Sequence, residues 1–496
     1  DASTYTVAAE LTNFGADKLL LGQKLESSSL SVAASSAGYQ IKGDVKINGT
    51  PASIDVRKKK GEANAELRMT AAIDEGARRR LGIDFGGAVT GTIPVKVSAQ
   101  IGDAVKEERL NVEADLTPVK IDNLLPGWVK LAGRAARSTF TMIKNGKAAR
   151  FDDLSIEGSG ASVKGAVELD ASGSLVLAHF PVFSLSDGDK VSMKADRGGD
   201  GVMRVTMRGD VYDGRGFVKS SLANSQDEKG KPEKQTDLDL DIKLGTVVGH
   251  NGETLRGLEL RLSRRSGQIR TFSMNSKIGR DTPLNGDLRL RARDNHQVMF
   301  FETNDAGALF RFTDTYPRMH GGSMWIAMDP PTQEQTPQVG TITIRDFVVR
   351  GEPALDRIVA GAPGGGGRGV SFSEMSAGFT RIPGRMAVRD GVVRGPVVGA
   401  TIEGQIDYAN NDVHLRGTFV PFYGLNNMFG LGQIPIVGLF LGGSNEGLLG
   451  ITYEAVGPPS APRISVNPVS AIAPGLLRKF IPSPGTFDKN FIPQQR

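Results

Sequence analysis

The chain has no cysteine, which excludes disulfides and thiolate metal sites. Its histidines, His179, His250, His296, His320 and His414, stand singly, without the His-x-x-x-His spacing that sets two ligands on one helical face. Aromatic residues make up 6% of the chain, too few to interleave with basic residues as a single-stranded nucleic-acid groove requires. Sixty basic residues against 55 acidic ones leave a formal charge of +5, so no polybasic surface and no nucleic-acid partner are implied. Long hydrophobic runs are also missing: the longest, residues 434–441, falls far short of the roughly 18 residues that a membrane helix needs. There is no Gly-x-Ser-x-Gly elbow, and Gly364 to Gly367 runs into Arg368-Gly369 where a phosphate loop needs Lys followed by Ser or Thr. No catalytic residue, cofactor or metal is expected from these residues, and the chain reads as a non-enzyme.

What the sequence does have is glycine, 63 residues of 496, and a strict alternation of apolar and polar positions. Tyr39, Ile41, Val45 and Ile47 alternate with Gln40, Lys42, Asp44 and Lys46. The same pattern recurs at Ile93 to Ile101, Leu110 to Leu116, Met203 to Met207 and Leu258 to Leu262. A period of two places one residue type on each face of a strand, and glycine supplies the turns between strands, so the fold class is all-β with few short helices. Helices are predicted at Asp74 to Leu81, with an acidic first turn and a basic last turn, and at Pro353 to Ala360, ended by Gly361. The polar stretch 225–236 reads as a linker between a segment 1–224 and a segment 237–480, followed by a tail, 481–496.

Three clusters invite a functional reading. Asp237, Asp239 and Asp241 alternate with Leu238, Leu240 and Ile242, which lines the carboxylates along a strand's polar face about 7 Å apart, too far to converge on calcium. Arg289, Arg291 and Arg293 form a stripe that could meet phosphates or could be a charged outer face that discourages edge pairing. The segment from Phe419 to Leu441 differs in kind: Phe422, Phe429, Ile434, Ile436, Leu439 and Phe440 are interrupted by Gly and Pro and carry no charge, as suits a membrane-touching tip or an apolar end plug.

An internal repeat joins two stretches. Residues 151–185 contain Leu-Ser-Ile-Glu-Gly, then Val163-Lys-Gly-Ala-Val-Glu-Leu-Asp, then Phe180-Pro-Val-Phe; residues 390–425 contain Val-Val-Arg-Gly, then Ile402-Glu-Gly-Gln-Ile-Asp-Tyr, then Phe419-Val-Pro-Phe. Units with a one-sided apolar surface need a neighbour to cover them, the logic of stacked β-repeats.

The ordered series Asn304-Asp-Ala-Gly-Ala-Leu-Phe-Arg-Phe, His320-Gly-Gly-Ser-Met, Gly340-Thr-Ile-Thr-Ile-Arg-Asp-Phe, Gly417-Thr-Phe-Val-Pro, Ile434-Pro-Ile-Val-Gly, Glu446-Gly-Leu-Leu-Gly, Val466-Asn-Pro and Ala473-Pro-Gly-Leu-Leu-Arg resembles the C-terminal region of the AsmA-like envelope proteins of Gram-negative bacteria, of the YhdP and TamB type. Asp122-Asn-Leu-Leu-Pro-Gly-Trp-Val-Lys extends the resemblance toward the middle region of such proteins. The resemblance implies an elongated, strongly bent antiparallel sheet with a hydrophobic groove, in a periplasmic protein that an N-terminal helix preceding Asp1 anchors to the inner membrane. It also implies a conduit that carries phospholipid toward the outer membrane, and it brings no catalytic residues. In that setting Val163, Val167, Leu169, Leu258, Leu260, Leu262, Ile402 and Ile406 are the residues expected to meet acyl chains, with the 422–440 segment at the outer-membrane end. The alternation leaves two other arrangements open: an envelope scaffold for outer-membrane protein assembly with a packed interior, and a sandwich using the same pattern.

Overall fold

The computed structural model describes residues 5–20, 23–80, 85–102, 107–125, 127–145, 148–223, 237–332, 336–359, 369–421, 449–471 and 491–493. The protein is all-β: its antiparallel sheet is bent and open, not closed into a barrel, and four short helices accompany it among the described residues. Each alternating stretch read from the sequence lies on a strand. The chain divides into two compact units, Asp1–Tyr212 and Asp213–Arg496.

In the first unit thirteen strands pair in chain order: Thr6–Leu20, Gln23–Ser35, Gly38–Ile47, Thr50–Lys59, Ala65–Ile73, Ile93–Ile101, Glu108–Asp115, Ala136–Asn145, Ala148–Gly158, Ala161–Leu169, Leu175–Ser184, Lys190–Arg197 and Met203–Asp213. Most connections are tight turns. Longer ones follow the fifth and seventh strands. The first of these carries helix α1 (Glu75–Arg80), started by Asp74, whose carboxylate accepts the Ala77 N–H at 2.6 Å. The two insertions meet in a small sheet of Val89–Thr90, Lys120–Asp122 and Val129–Lys130.

The second unit opens with helix α2 (Arg215–Ala223). Its thirteen strands, again paired in chain order, are Leu238–Val248, Thr254–Arg265, Gln268–Ile278, Thr282–Arg291, Gln297–Thr303, Met319–Met328, Gln338–Val349, Val370–Ile382, Arg385–Arg394, Val398–Asp407, Asp412–Pro421, Leu449–Gly457 and Arg463–Ala471. The connections after the fifth and seventh strands hold helices α3 (Ala306–Phe312) and α4 (Pro353–Val359). Within the expected tail, Phe491–Pro493 pairs with Arg289–Arg291 on the fourth strand.

Helices α1 and α4 follow the sequence prediction; α2 and α3 do not. In α3 the cap is Asp305, which accepts the Ala308 N–H at 3.0 Å, but Gly307 hides the helix from propensity. The glycine is there for packing, since a Cβ on it would lie 2.5 Å from the Met319 carbonyl oxygen. Close approach also explains strand glycines: a Cβ on Gly165 would stand 1.9 Å from the His179 carbonyl oxygen, and one on Gly404 would stand 2.1 Å from that of His414. Asp153 and Asp390, one strand earlier in each unit, take φ of 51° and 49° where the ladder slips, and such bulges bend a sheet.

Candidate functional site

Residues directly opposite each other on neighbouring antiparallel strands share a face, so the registers trace what each face carries. In the first unit one such row runs Ala9, Val32, Ile41, Val56, Leu67, Ala99, Leu110, Met142, Phe151, Val167, Ala178, Ala195, Val205, one residue per strand and none polar. In the second unit a row runs Ile242, Leu260, Met274, Gly286, Phe301, Ile326, Ile342, Ala377 over the first eight strands. The first unit therefore has a continuous apolar lane across all its strands, and the second has one across its first eight. The lanes lie on a bent sheet, and besides it the described residues hold one small three-stranded sheet, in the first unit's insertions.

Burial along the lanes is uneven. In the first unit Leu25, Val45, Ile54, Leu67, Val97 and Leu110 pack into one buried cluster, whereas Phe151, Val167, Leu169 and Val205 are half-buried. In the second unit Ile344, Phe347, Leu355, Val398 and Phe419 form a buried cluster under α3 and α4, whereas Leu240, Ile242, Leu260, Leu262, Met274, Met299 and Phe301 stay half-buried on the first five strands. Each unit thus has a packed stretch beneath or beside its insertions and a half-buried greasy stretch away from them, which in the second unit packs around buried Ile269, Phe272 and Leu288.

The residues singled out for acyl contact fall on these faces, in two groups. Val163, Val167 and Leu169 lie on the tenth strand of the first unit, where Val167 pairs with Phe151 and Ala178; Val163 is 1% exposed and belongs to the packed interior. Leu258, Leu260 and Leu262 face Leu244, Ile242 and Leu240 on the strand before, all on one side. Ile402 packs against the cluster under the helices, and Ile406, 8% exposed, pairs with Met386 and Val413. Phe422, Phe429, Ile434, Ile436, Leu439 and Phe440 lie outside the described residues.

The opposite face is mostly polar and largely neutralised, but in the second unit it also carries a buried apolar cluster of Val298, Phe300, Trp325 and Ala327. Asp239 pairs with Arg265 at 2.7 Å, and Asp237 accepts the Ser266 N–H at 2.7 Å, so two of the three aspartates of the sequence cluster serve the sheet. Arg289 bonds Asp287 at 2.7 Å and Glu302 at 3.2 Å and lies 3.7 Å over the Phe300 ring; Arg291 pairs with Asp294 at 2.6 Å. The arginine stripe is thereby engaged within the protein at these two positions. Lys164 and Arg137 hold the Glu157 carboxyl down at about 2. The depressions include one of about 830 Å³ lined by Glu26, Asp44, Lys46 and Ser53, one of about 540 Å³ lined by Asp153, Lys164, Gly165 and His179, and one of about 770 Å³ lined by Asp390, Glu403, Gly404 and His414.

Sequence reading missed the insertions' role. Among the described residues the buried charged side chains are Arg78, Lys130 and Glu352, and all three belong to insertions. Arg78 donates to the Val89 and Gly91 carbonyls, both at 2.8 Å. Lys130 Nζ donates to the carbonyls of Thr117, Val119 and Leu131 at 3.3, 2.8 and 3.1 Å, while burial pushes its ammonium below the ordinary value and Asp115 pulls it partly back. Glu352, just before α4, accepts from Arg318 and from the Tyr316 hydroxyl, both in the insertion that holds α3. A charge within an apolar neighbourhood is the one sequence signal that could have marked these positions, and Lys130 carries it.

No helix among the described residues is long and apolar enough to cross a membrane. No protein-family profile, curated protein or solved structure matches this chain.

Proposed function

We propose that the protein binds phospholipid acyl chains along the apolar lanes of its sheet and serves in the periplasm as a conduit for phospholipid between the inner and outer membranes. The observation that carries the reading is the unbroken apolar row across the strands of the first unit, accompanied in both units by Leu, Met, Phe and Val that are only half-buried. An acyl chain of about sixteen carbons costs on the order of 13 kcal/mol to expose to water, at about 0.8 kcal/mol per methylene. A lane that shelters the chain throughout removes that barrier without any specific pocket. Methionine at Met142, Met274 and Met299 suits such a surface, because its flexible thioether adapts to chains of different shape. The envelope setting, the inner-membrane anchor and delivery toward the outer membrane rest on the resemblance to AsmA-like proteins.

The test is photocrosslinking. A photoreactive residue at Met274, which lies opposite Leu260, is expected to label phospholipid, and Leu260→Arg is expected to reduce that labelling several-fold. Unchanged labelling would remove the lane from the mechanism. A second reading, a packed scaffold that assists outer-membrane protein assembly, is favoured by the buried clusters around Leu67 in the first unit and around Ile344 and Val398 in the second.

A further inference from the structure

We infer that the chain is a tandem repeat of one thirteen-strand unit and that each copy holds phospholipid separately, so that the protein loads at two places. The second half of this statement rests on the lipid-binding reading above; the first half does not.

Numbered from its own first strand, each unit has long insertions after the fifth and seventh strands; the second unit alone has a further long connection, residues 422–448, after its eleventh. In each, the two insertions are tied together, by the Val89–Ile121 and Thr90–Lys120 strand pairs in the first unit and by Glu352 with Arg318 and Tyr316 in the second. Ladder slips coincide as well. Both units slip between strands two and three, eight and nine, nine and ten, and twelve and thirteen. The first unit has further slips at its first and tenth pairings. The sequence repeat falls on strands nine to eleven of each copy, which aligns Asp153 with Asp390, Gly165 with Gly404, and the depression beside each pair. Two unrelated meanders share alternation, because any half-buried strand does. They have no reason to share the ordinal positions of insertions, slips and a left-handed aspartate.

The functional consequence follows from where the copies are open. Each has a buried cluster, on strands two to seven in the first and on strands six to twelve in the second, and each keeps a half-buried greasy stretch of its own, around Phe151 and Val167 in the first and around Leu260 and Met274 in the second. A charge placed in one stretch should therefore empty that copy alone.

The full chain, incubated with vesicles of phosphatidylethanolamine and phosphatidylglycerol, is weighed by native mass spectrometry, and bound phospholipid is counted. Val167→Asp and Leu260→Asp are each expected to remove about half of it, and the double variant nearly all. Val167→Thr and Leu260→Asn, milder polar changes, are expected to act in the same direction if a charged variant fails to fold, with circular dichroism reporting folding. If either single variant strips all lipid, or if one strips all and the other none, the two-place inference is overturned while the lipid role stands. If the unaltered chain takes up no phospholipid, the lipid role itself falls.

Discussion

Ile344 and Leu260 sit on the same apolar face of one unit but in different surroundings. Ile344 is 0% exposed beneath α3 and α4, and Leu260 is half-buried. Truncating a fully packed Ile leaves a cavity and costs about 2–5 kcal/mol, whereas a side chain already touching water loses less, about 1 kcal/mol. Urea denaturation of Ile344→Ala and Leu260→Ala is expected to separate the two by at least about 1 kcal/mol. Equal losses would mean that the Leu260 stretch is as dry as the interior. At this scale the sequence was informative about which side chains are apolar and silent about which of them are covered. Val163 and Val167 read identically in the alternation, yet one is packed and the other half-open. The difference is made by curvature, which comes from bulges such as those at Asp153 and Asp390 and leaves little trace in composition.

At the scale of elements, strands were legible because period-two patterning is a local property; α1 was legible through its acidic first turn and basic last turn, and α4 through the glycine that follows it. Helix α3 was not, because Gly307 answers to the neighbouring Met319 backbone and not to helix propensity. In the second unit the insertions cover part of the apolar face, through Ala306, Leu355 and Val359, and their mutual tie is polar and buried at Glu352. In the second unit Glu352→Ala would leave the Arg318 guanidinium and the Tyr316 hydroxyl without their shared partner, which is expected to cost about 2–4 kcal/mol. A double-mutant cycle with Arg318→Ala is expected to return a coupling above about 1 kcal/mol. Additive losses would show that α4 is held by its apolar side chains alone.

At the scale of the molecule, the all-β class and the presence of a repeat could be read from the text, but the length of the repeating unit could not. Only strands nine to eleven betray it, since Asp153 and Asp390 need left-handed backbone and Gly165 and Gly404 need close approach, whereas elsewhere any apolar residue satisfies an inward position. What forms is a bent antiparallel sheet, not closed into a barrel. The central claim is that part of its apolar face stays open to hydrocarbon. Phosphorus analysis of the purified full chain, after detergent-free washing, tests it most directly. The account expects phospholipid phosphorus at more than one equivalent per chain. Phosphorus-free protein that also takes up no lipid from vesicles would contradict it and would leave a dry, self-packed scaffold in its place.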